Sequence, residues 1–318
     1  MPPRAFLFAG QGAQRPGMGK DFFAEYQEAR KVYQKANEIL GFDLAELCFS
    51  GNEEELEKTI YNQPSILVTS IAILEVFRLL KGKEALEAHA AAGLSLGEYT
   101  ALVFAGALAL EDAVELVYKR GKFMQEASEE RPGGMVSIIG LSDAEVEVLC
   151  KEASQYGVIR AANYNCPGQV VVSGENRPLE VISKEAKNRG AKRVIPLKVS
   201  GAFHSPLMAS AQAKMAVELK KAKLQRAHIP VVANIHAKYV QEPEEIRRAL
   251  LAQLTGPVRW TQSMKLLLND GVEEFYEVGP GKVLAGLMRR IDPSKNVKNL
   301  ETVSSLEAAL SQPNTRSL

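Results

Sequence analysis

The sequence predicts an α/β fold in two parts: a larger domain of α/β-hydrolase type built on a parallel sheet, and a smaller ferredoxin-like unit. Two stretches carry this prediction. Gly93-Leu94-Ser95-Leu96-Gly97 lies between an Ala-rich run and a helix-like run over 98–108. Glycines two places either side of a serine let the chain turn sharply from strand to helix. Arg131-Pro132-Gly133-Gly134 then punctuates the chain. The pattern beyond it reads strand, helix, strand, strand, helix, strand, which is the order of a ferredoxin-like unit.

In chain order, 5–8 is a short buried strand leading into a loop with Gly10 and Gly12. A dinucleotide fingerprint is excluded there, because Arg15 stands where its third glycine would be. Helical spacing covers 22–40 and 65–80. After the serine turn, helices cover 99–108 and 110–128. In the second part 135–139, 158–162, 170–173 and 192–197 are strands, and 143–156 and 177–189 are helices. Strands and helices resume at 210 and end near 291. The Ser- and Asn-containing tail beyond is expected to pack loosely.

Composition narrows the function. Of 318 residues, 39 are Lys or Arg and 38 Asp or Glu, a net charge of +1, so no overall pull toward nucleic acid exists. Cys48, Cys150 and Cys166 are odd in number and far apart, which fits a reducing compartment better than a disulfide framework. No Cys/His cluster has metal-ligand spacing. The charge-free apolar runs around 66–74 and 99–110 are too short to span a bilayer. No basic segment with a long apolar stretch follows Met1, so no signal peptide is expected.

Ser95 sits at a helix N-terminus, where backbone N–H groups can meet an oxyanion. That suits a nucleophile in acyl transfer, and equally a serine cap on a strand-turn-helix corner. A serine hydroxyl needs a base, and His204, in the loop Gly201-Ala202-Phe203-His204-Ser205, is the best placed; His228 and His236 have no motif around them. A hydrolase triad would also need an acid between Ser95 and His204. The acids there, such as Glu111, Asp112 and Asp143, read as solvated helix faces. Arg120 falls inside a stripe formed by Ala113, Leu116, Val117, Met124 and Ala127. It either reaches out to solvent or pairs with a carboxylate from the protein or a ligand.

These motifs, with Phe8-Ala9-Gly10-Gln11-Gly12-Ala13-Gln14, Asn62-Gln63-Pro64, Arg120-Gly121, Asn163-Tyr164-Asn165, Gln253-Leu254-Thr255-Gly256-Pro257-Val258-Arg259-Trp260 and Glu277-Val278-Gly279-Pro280-Gly281, occur in an order and spacing that resembles the malonyl-CoA:acyl carrier protein transacylases of type II fatty acid synthesis. The likeness runs over about 6–290. One departure is Leu94, where most members have histidine and plastid-type members often have leucine. The resemblance implies a large α/β catalytic part over 1–130 and 199–318, with a ferredoxin-like part, 131–198, inserted. It implies that Ser95 and His204 form a catalytic dyad, with His204 oriented by the Gln253 backbone carbonyl. It further implies an oxyanion hole from the N–H groups of Gln11 and Leu96, and Arg120 on the malonyl carboxylate. Gln63 and Asn165 would line the site, and Phe203 would exclude an α-methyl branch.

The expected reaction moves malonyl from coenzyme A to the phosphopantetheine thiol of acyl carrier protein through a malonyl-serine. It uses no cofactor or metal beyond the coenzyme A thioester substrate. The partners are malonyl-CoA and acyl carrier protein, without nucleic acid or membrane, and the chain is expected to be a soluble monomer. It would work in the cytoplasm of a bacterium or, with a transit peptide removed, in a plastid stroma. A serine thioesterase or esterase, and a non-catalytic acyl-CoA-binding protein of the same fold, are the alternatives.

Overall fold

The computed structural model describes residues 2–82 and 86–311. Strand β1 (Arg4–Phe8) is buried along its whole length. Two helices follow where periodicity predicts one. α1 (Lys20–Glu25) and α2 (Gln27–Leu40) are separated by Tyr26, whose backbone is extended. Arg30 stabilises the break: its Nε donates to Phe23 O at 2.7 Å and its Nη2 to Ala24 O, satisfying carbonyls left free at the end of α1. α3 (Leu44–Ser50) and α4 (Glu53–Glu57) are too short to announce themselves by period. Asp43 and Asn52 cap them, accepting from Glu46 N and Glu54 N, each at 3.0 Å.

α5 (Thr59–Lys81) starts six residues before the expected position and carries Pro64 inside it. Proline removes one helical hydrogen bond there, and Asn62 Nδ2 ties the same turn to the end of α4 by donating to Glu57 O at 2.9 Å. This helix is long and apolar enough to cross a membrane by length and composition, which corrects the expectation drawn from its charge-free run. Its most apolar window is 78% buried within the protein, as befits a core helix.

β2 (Ala90–Gly93) pairs in parallel with β1, Ala5 opposite Ala90 through Phe8 opposite Gly93. α6 (Gly97–Phe104) and α7 (Leu110–Glu130) follow, and α7 packs along α5. Next come β3 (Gly134–Ile139), α8 (Asp143–Ala153), β4 (Ile159–Cys166), β5 (Gln169–Gly174), α9 (Asn176–Asn188) and β6 (Arg193–Pro196). Their strands form an antiparallel sheet of order β4-β5-β3-β6. It has its own core, including Val136, Ile138, Val146, Leu149 and Ile182.

The chain returns through α10 (Ala209–Lys221), β7 (Val231–Ala233), β8 (Lys238–Val240), α11 (Pro243–Thr255), α12 (Trp260–Asn269), β9 (Glu274–Val278) and α13 (Val283–Ile291). Glu277, fully buried, caps α13 by accepting from Leu284 N and Ala285 N at 2.8 and 2.9 Å. Ordered elements do not end near 291. β10 (Val297–Leu300) adds to β9 in parallel, and α14 (Val303–Ser311) buries Val303 and Leu306. Asp21 Oδ2 accepts from Val303 N at 2.8 Å and ties this segment to α1. The expected loose tail is thus corrected as far as 311, and its remainder, 312–318, lies outside the described residues.

The large sheet has the order β10-β9-β1-β2-β7-β8, parallel throughout except for the β7–β8 pair. The fold is therefore mixed α/β, with a parallel-rich sheet and a second, antiparallel one. The small sheet is bonded to the loop just past the end of α11, where Tyr164 N donates to Val258 O at 2.9 Å and Val258 N to Ala162 O at 2.7 Å.

Candidate active site

The site grows from the turn between β2 and α6. A Cβ on Gly93 would lie 1.9 Å from the Gly97 backbone, and one on Gly97 2.2 Å from Phe8 O, so neither position admits a side chain. Between them Ser95 is held at φ 54°, left-handed for a non-glycine residue, which costs about 1–3 kcal/mol. Asn234, at the end of β7, stabilises that conformation. Its Oδ1 accepts from Ser95 N at 2.6 Å and its Nδ2 donates to Gly93 O at 2.7 Å.

His204 comes from the loop between β6 and α10. It too has a positive φ, 58°, and is 4% exposed. Its Nε2 lies 2.8 Å from Ser95 Oγ and its Nδ1 2.8 Å from Gln253 O, at the end of α11. A carbonyl only accepts, so Nδ1 carries the proton and Nε2 is left as the acceptor for the serine O–H. Burial, reinforced by the Arg120 charge, pushes His204 down to about 4. The imidazole is neutral at pH 7, the state a general base requires.

Arg120, on α7, does not reach solvent: it is 1% exposed. Nη1 donates to Gln63 Oε1 at 2.7 Å, and Nη2 to Gln253 Oε1 at 2.9 Å and Ser95 Oγ at 3.1 Å. Every one of these acceptors is neutral, and Nε has no partner. The guanidinium also faces the Tyr99 ring, 5.6 Å from its centroid.

Gly10 packs against the serine turn so closely that a Cβ there would lie 2.3 Å from Leu94 O. That contact brings the loop carrying Gln11 against the serine turn. Among the described residues neither the Gln11 N–H nor the Leu96 N–H donates to any acceptor. Leu94 itself packs on the cluster of Trp260, Met264 and Phe275.

Ser95, His204, Arg120, Gln63 and Gln253 are thus brought together, with Leu96 in the same turn. Asn165 lies on β4, with a buried, unpartnered Oδ1 and no hydrogen bond to Ser95, His204 or Arg120. Phe203 is buried in the main core. The acids of this region are not all solvated. Glu98, in the first turn of α6, is 1% exposed and bonded to Asn234 and Gln253. Its place three residues after Ser95, on the same helix face, was the available signal. Asn234 has none. Among the described residues no group of three or more His, Cys, Asp or Glu side chains could hold a metal ion.

Fold and geometry together fit one class, an acyltransferase, and a neutral carbonyl stands beside His204 where a hydrolytic triad has its acid. Residues 5–316 match the family model described as acyl transferase domain. The malonyl CoA-acyl carrier protein transacylase of Escherichia coli (strain K12) is 44% identical over 306 residues, 96% of this chain and 98% of the relative. That of Bacillus subtilis (strain 168) is 42% identical over 313 residues, 98% and 94% of the two chains. Among solved structures, the malonyl CoA-acyl carrier protein transacylase of Coxiella burnetii superposes with a TM-score of 0.93 at 38% identity, covering 97% of each chain. A type II PKS acyl-carrier protein in complex with its malonyl-transacylase gives a TM-score of 0.93 at 40% identity, over 97% of this chain and 99% of that one. The chain belongs to the acyl transferase domain family and is an acyltransferase.

Proposed function

We propose that this enzyme transfers malonyl from malonyl-CoA to the phosphopantetheine thiol of acyl carrier protein, for fatty acid synthesis. The observation that carries the proposal is the convergence on Ser95 Oγ of His204 Nε2 at 2.8 Å and Arg120 Nη2 at 3.1 Å. Ser95 Oγ attacks the thioester carbonyl while His204 Nε2 takes its proton. The N–H groups of Leu96 and Gln11, which have no acceptor among the described residues, hold the oxyanion. The C–S bond breaks, and coenzyme A leaves as the thiol with the proton from His204. The malonyl ester on Ser95 keeps its carboxylate on Arg120, whose planar fork suits two-point pairing. The carrier thiol then gives its proton to His204 and attacks the ester, and Ser95 is restored. The Gln253 carbonyl fixes the imidazole tautomer throughout. No cofactor or metal enters these steps.

Gln63 holds the Arg120 fork in place, Asn165 lines the site, and the Phe203 ring leaves little room for an α-methyl branch. Residues 131–198 form a ferredoxin-like subdomain, a reading supported by the β4-β5-β3-β6 order. The described residues of 1–130 and 199–318 form the α/β-hydrolase-like part. The enzyme works as a soluble monomer meeting two partners in turn. Intact mass after mixing with malonyl-CoA tests the proposal: wild type gains one malonyl group and Ser95→Ala gains none. A wild-type protein that turns over malonyl-CoA without this adduct would refute it.

A further inference from the structure

Glu98 has no part in the steps above, yet it joins the groups that perform them. Its Oε2 accepts two N–H groups at once, Asn234 N at 2.9 Å and Gln253 Nε2 at 2.8 Å. Each of these partners holds a different half of the site. Asn234 fixes the Ser95 turn through its side chain. Gln253 offers its carbonyl to His204 Nδ1, its Oε1 to Arg120, and a second bond from Nε2 to Ser95 O at 3.0 Å. The three elements that meet at Glu98 Oε2, namely α6, the end of β7 and the end of α11, are joined in sequence only over long distances.

We propose that Glu98 is a positioning residue for acyl transfer: by accepting Asn234 N–H and Gln253 Nε2–H on one oxygen, it fixes the serine turn against the carbonyl that orients His204. This rests on the Ser95–His204 dyad proposed above. Reacting groups must hold their separation closely, because a misplacement of about 1 Å costs on the order of a hundredfold in rate. The alternative role is charge, with Glu98 balancing Arg120. Geometry speaks for positioning. Glu98 reaches Arg120 only through the Gln253 amide, and both donors converge on one oxygen, which a glutamine carbonyl can supply and a shorter aspartate does not bring within reach. Burial also pushes the Glu98 carboxyl up to about 7 despite Arg120.

The test is single-turnover malonylation of Ser95, followed by intact mass and expressed per folded protein, for Glu98→Gln and Glu98→Asp. Glu98→Gln keeps the acceptor and stays within about fivefold of wild type. Glu98→Asp keeps the charge and loses about 30-fold or more in the acylation rate, with KM for malonyl-CoA changed less than about twofold. A merely structural role would lower the folded fraction and leave the rate per folded site unchanged. If Glu98→Asp does not fold, the apolar isostere Glu98→Met is held to the same threshold. Failure of both to fold beside a normal Glu98→Gln assigns Glu98 a structural role and overturns the proposal. So does an active Glu98→Asp, an inactive Glu98→Gln, or a loss carried by KM. Absence of the adduct on wild type refutes the dyad, whereas a normal adduct with indifferent Glu98 variants refutes only this inference.

Discussion

Replacing Arg120 by alanine should cost malonyl transfer far more than acetyl transfer. The guanidinium is buried against three oxygens, of Gln63, Gln253 and Ser95, and none of them carries a charge. Among the described residues no carboxylate forms an ion pair with it. In the proposed function a malonyl carboxylate supplies that anion. Losing that charge-assisted pair should cost about 2–4 kcal/mol in the transition state, or about 30- to 700-fold in kcat/KM. Acetyl has no carboxylate. Its transfer loses only the 3.1 Å bond to Ser95 Oγ, about 0.5–1.5 kcal/mol or about 2- to 13-fold. At the midpoints of these ranges the malonyl-to-acetyl ratio should therefore fall by about 2 kcal/mol, or about 30-fold. Gln63 Oε1 and Gln253 Oε1 are left without their donor, at about 1–3 kcal/mol each in stability, so rates must be expressed per folded enzyme. The assay is acyl-Ser95 formation by intact mass, with malonyl-CoA and acetyl-CoA in parallel. Equal losses for the two thioesters would make Arg120 a structural residue and refute the argument.

His204→Ala should slow Ser95 acylation by about 10²–10⁴-fold, whereas the exposed His228 and His236 should each tolerate alanine within about twofold in the same assay. The acylation rate should stay level down to about pH 5, because His204, lowered to about 4 by burial and the Arg120 charge, remains neutral there; a fall centred near 6.5 would contradict this. The sign for stability is separate. A histidine depressed from 6.5 to about 4 contributes fully above 6.5 and loses that contribution as pH falls toward 4. Glu98 and Glu277, both raised to about 7 mainly by burial, run the opposite way: their contribution is present below 4.5 and lost as pH rises through 7. Melting temperature mixes these terms, so the rate is the cleaner readout. Gly97→Ala forces a Cβ to within 2.2 Å of Phe8 O and should destabilise the fold by about 2 kcal/mol or more, read as a lower urea midpoint; an unchanged midpoint would mean the turn relaxes freely. Charge reversal at the exposed Lys187 should weaken the carrier-protein step at low salt and spare the coenzyme A step, in a two-substrate kinetic assay; unchanged carrier kinetics would move the docking face elsewhere.

What was legible in the sequence was local. Gly93 and Gly97 betray the serine turn because backbone atoms pass within 2.5 Å of where their side chains would be, so their identity is dictated at those two positions. Arg120 is legible because a 3.6-residue period placed it among Ala113, Leu116, Val117 and Met124, all buried on α7. The alternation of strand and helix over 131–198 showed the small sheet in the right order, since each element is long enough to display its period. Several other short elements were not legible. α3, α4, β10 and α14 owe their order to caps and neighbours, and the break at Tyr26 to the reach of Arg30.

The site was legible in its ends and not in its middle. Ser95, His204 and Arg120 carry motifs, and the likeness to a known family added Gln253. Glu98, by contrast, is an acid in the first turn of a helix, which by itself is an ordinary favourable place for a solvated carboxylate. Its burial was decided by Asn234 and Gln253, 136 and 155 residues further on. Periodicity reports which face of an element is apolar. Which polar group from a distant element will meet a given side chain depends on how the sheet orders β2 beside β7 and where α11 ends, and those are tertiary decisions.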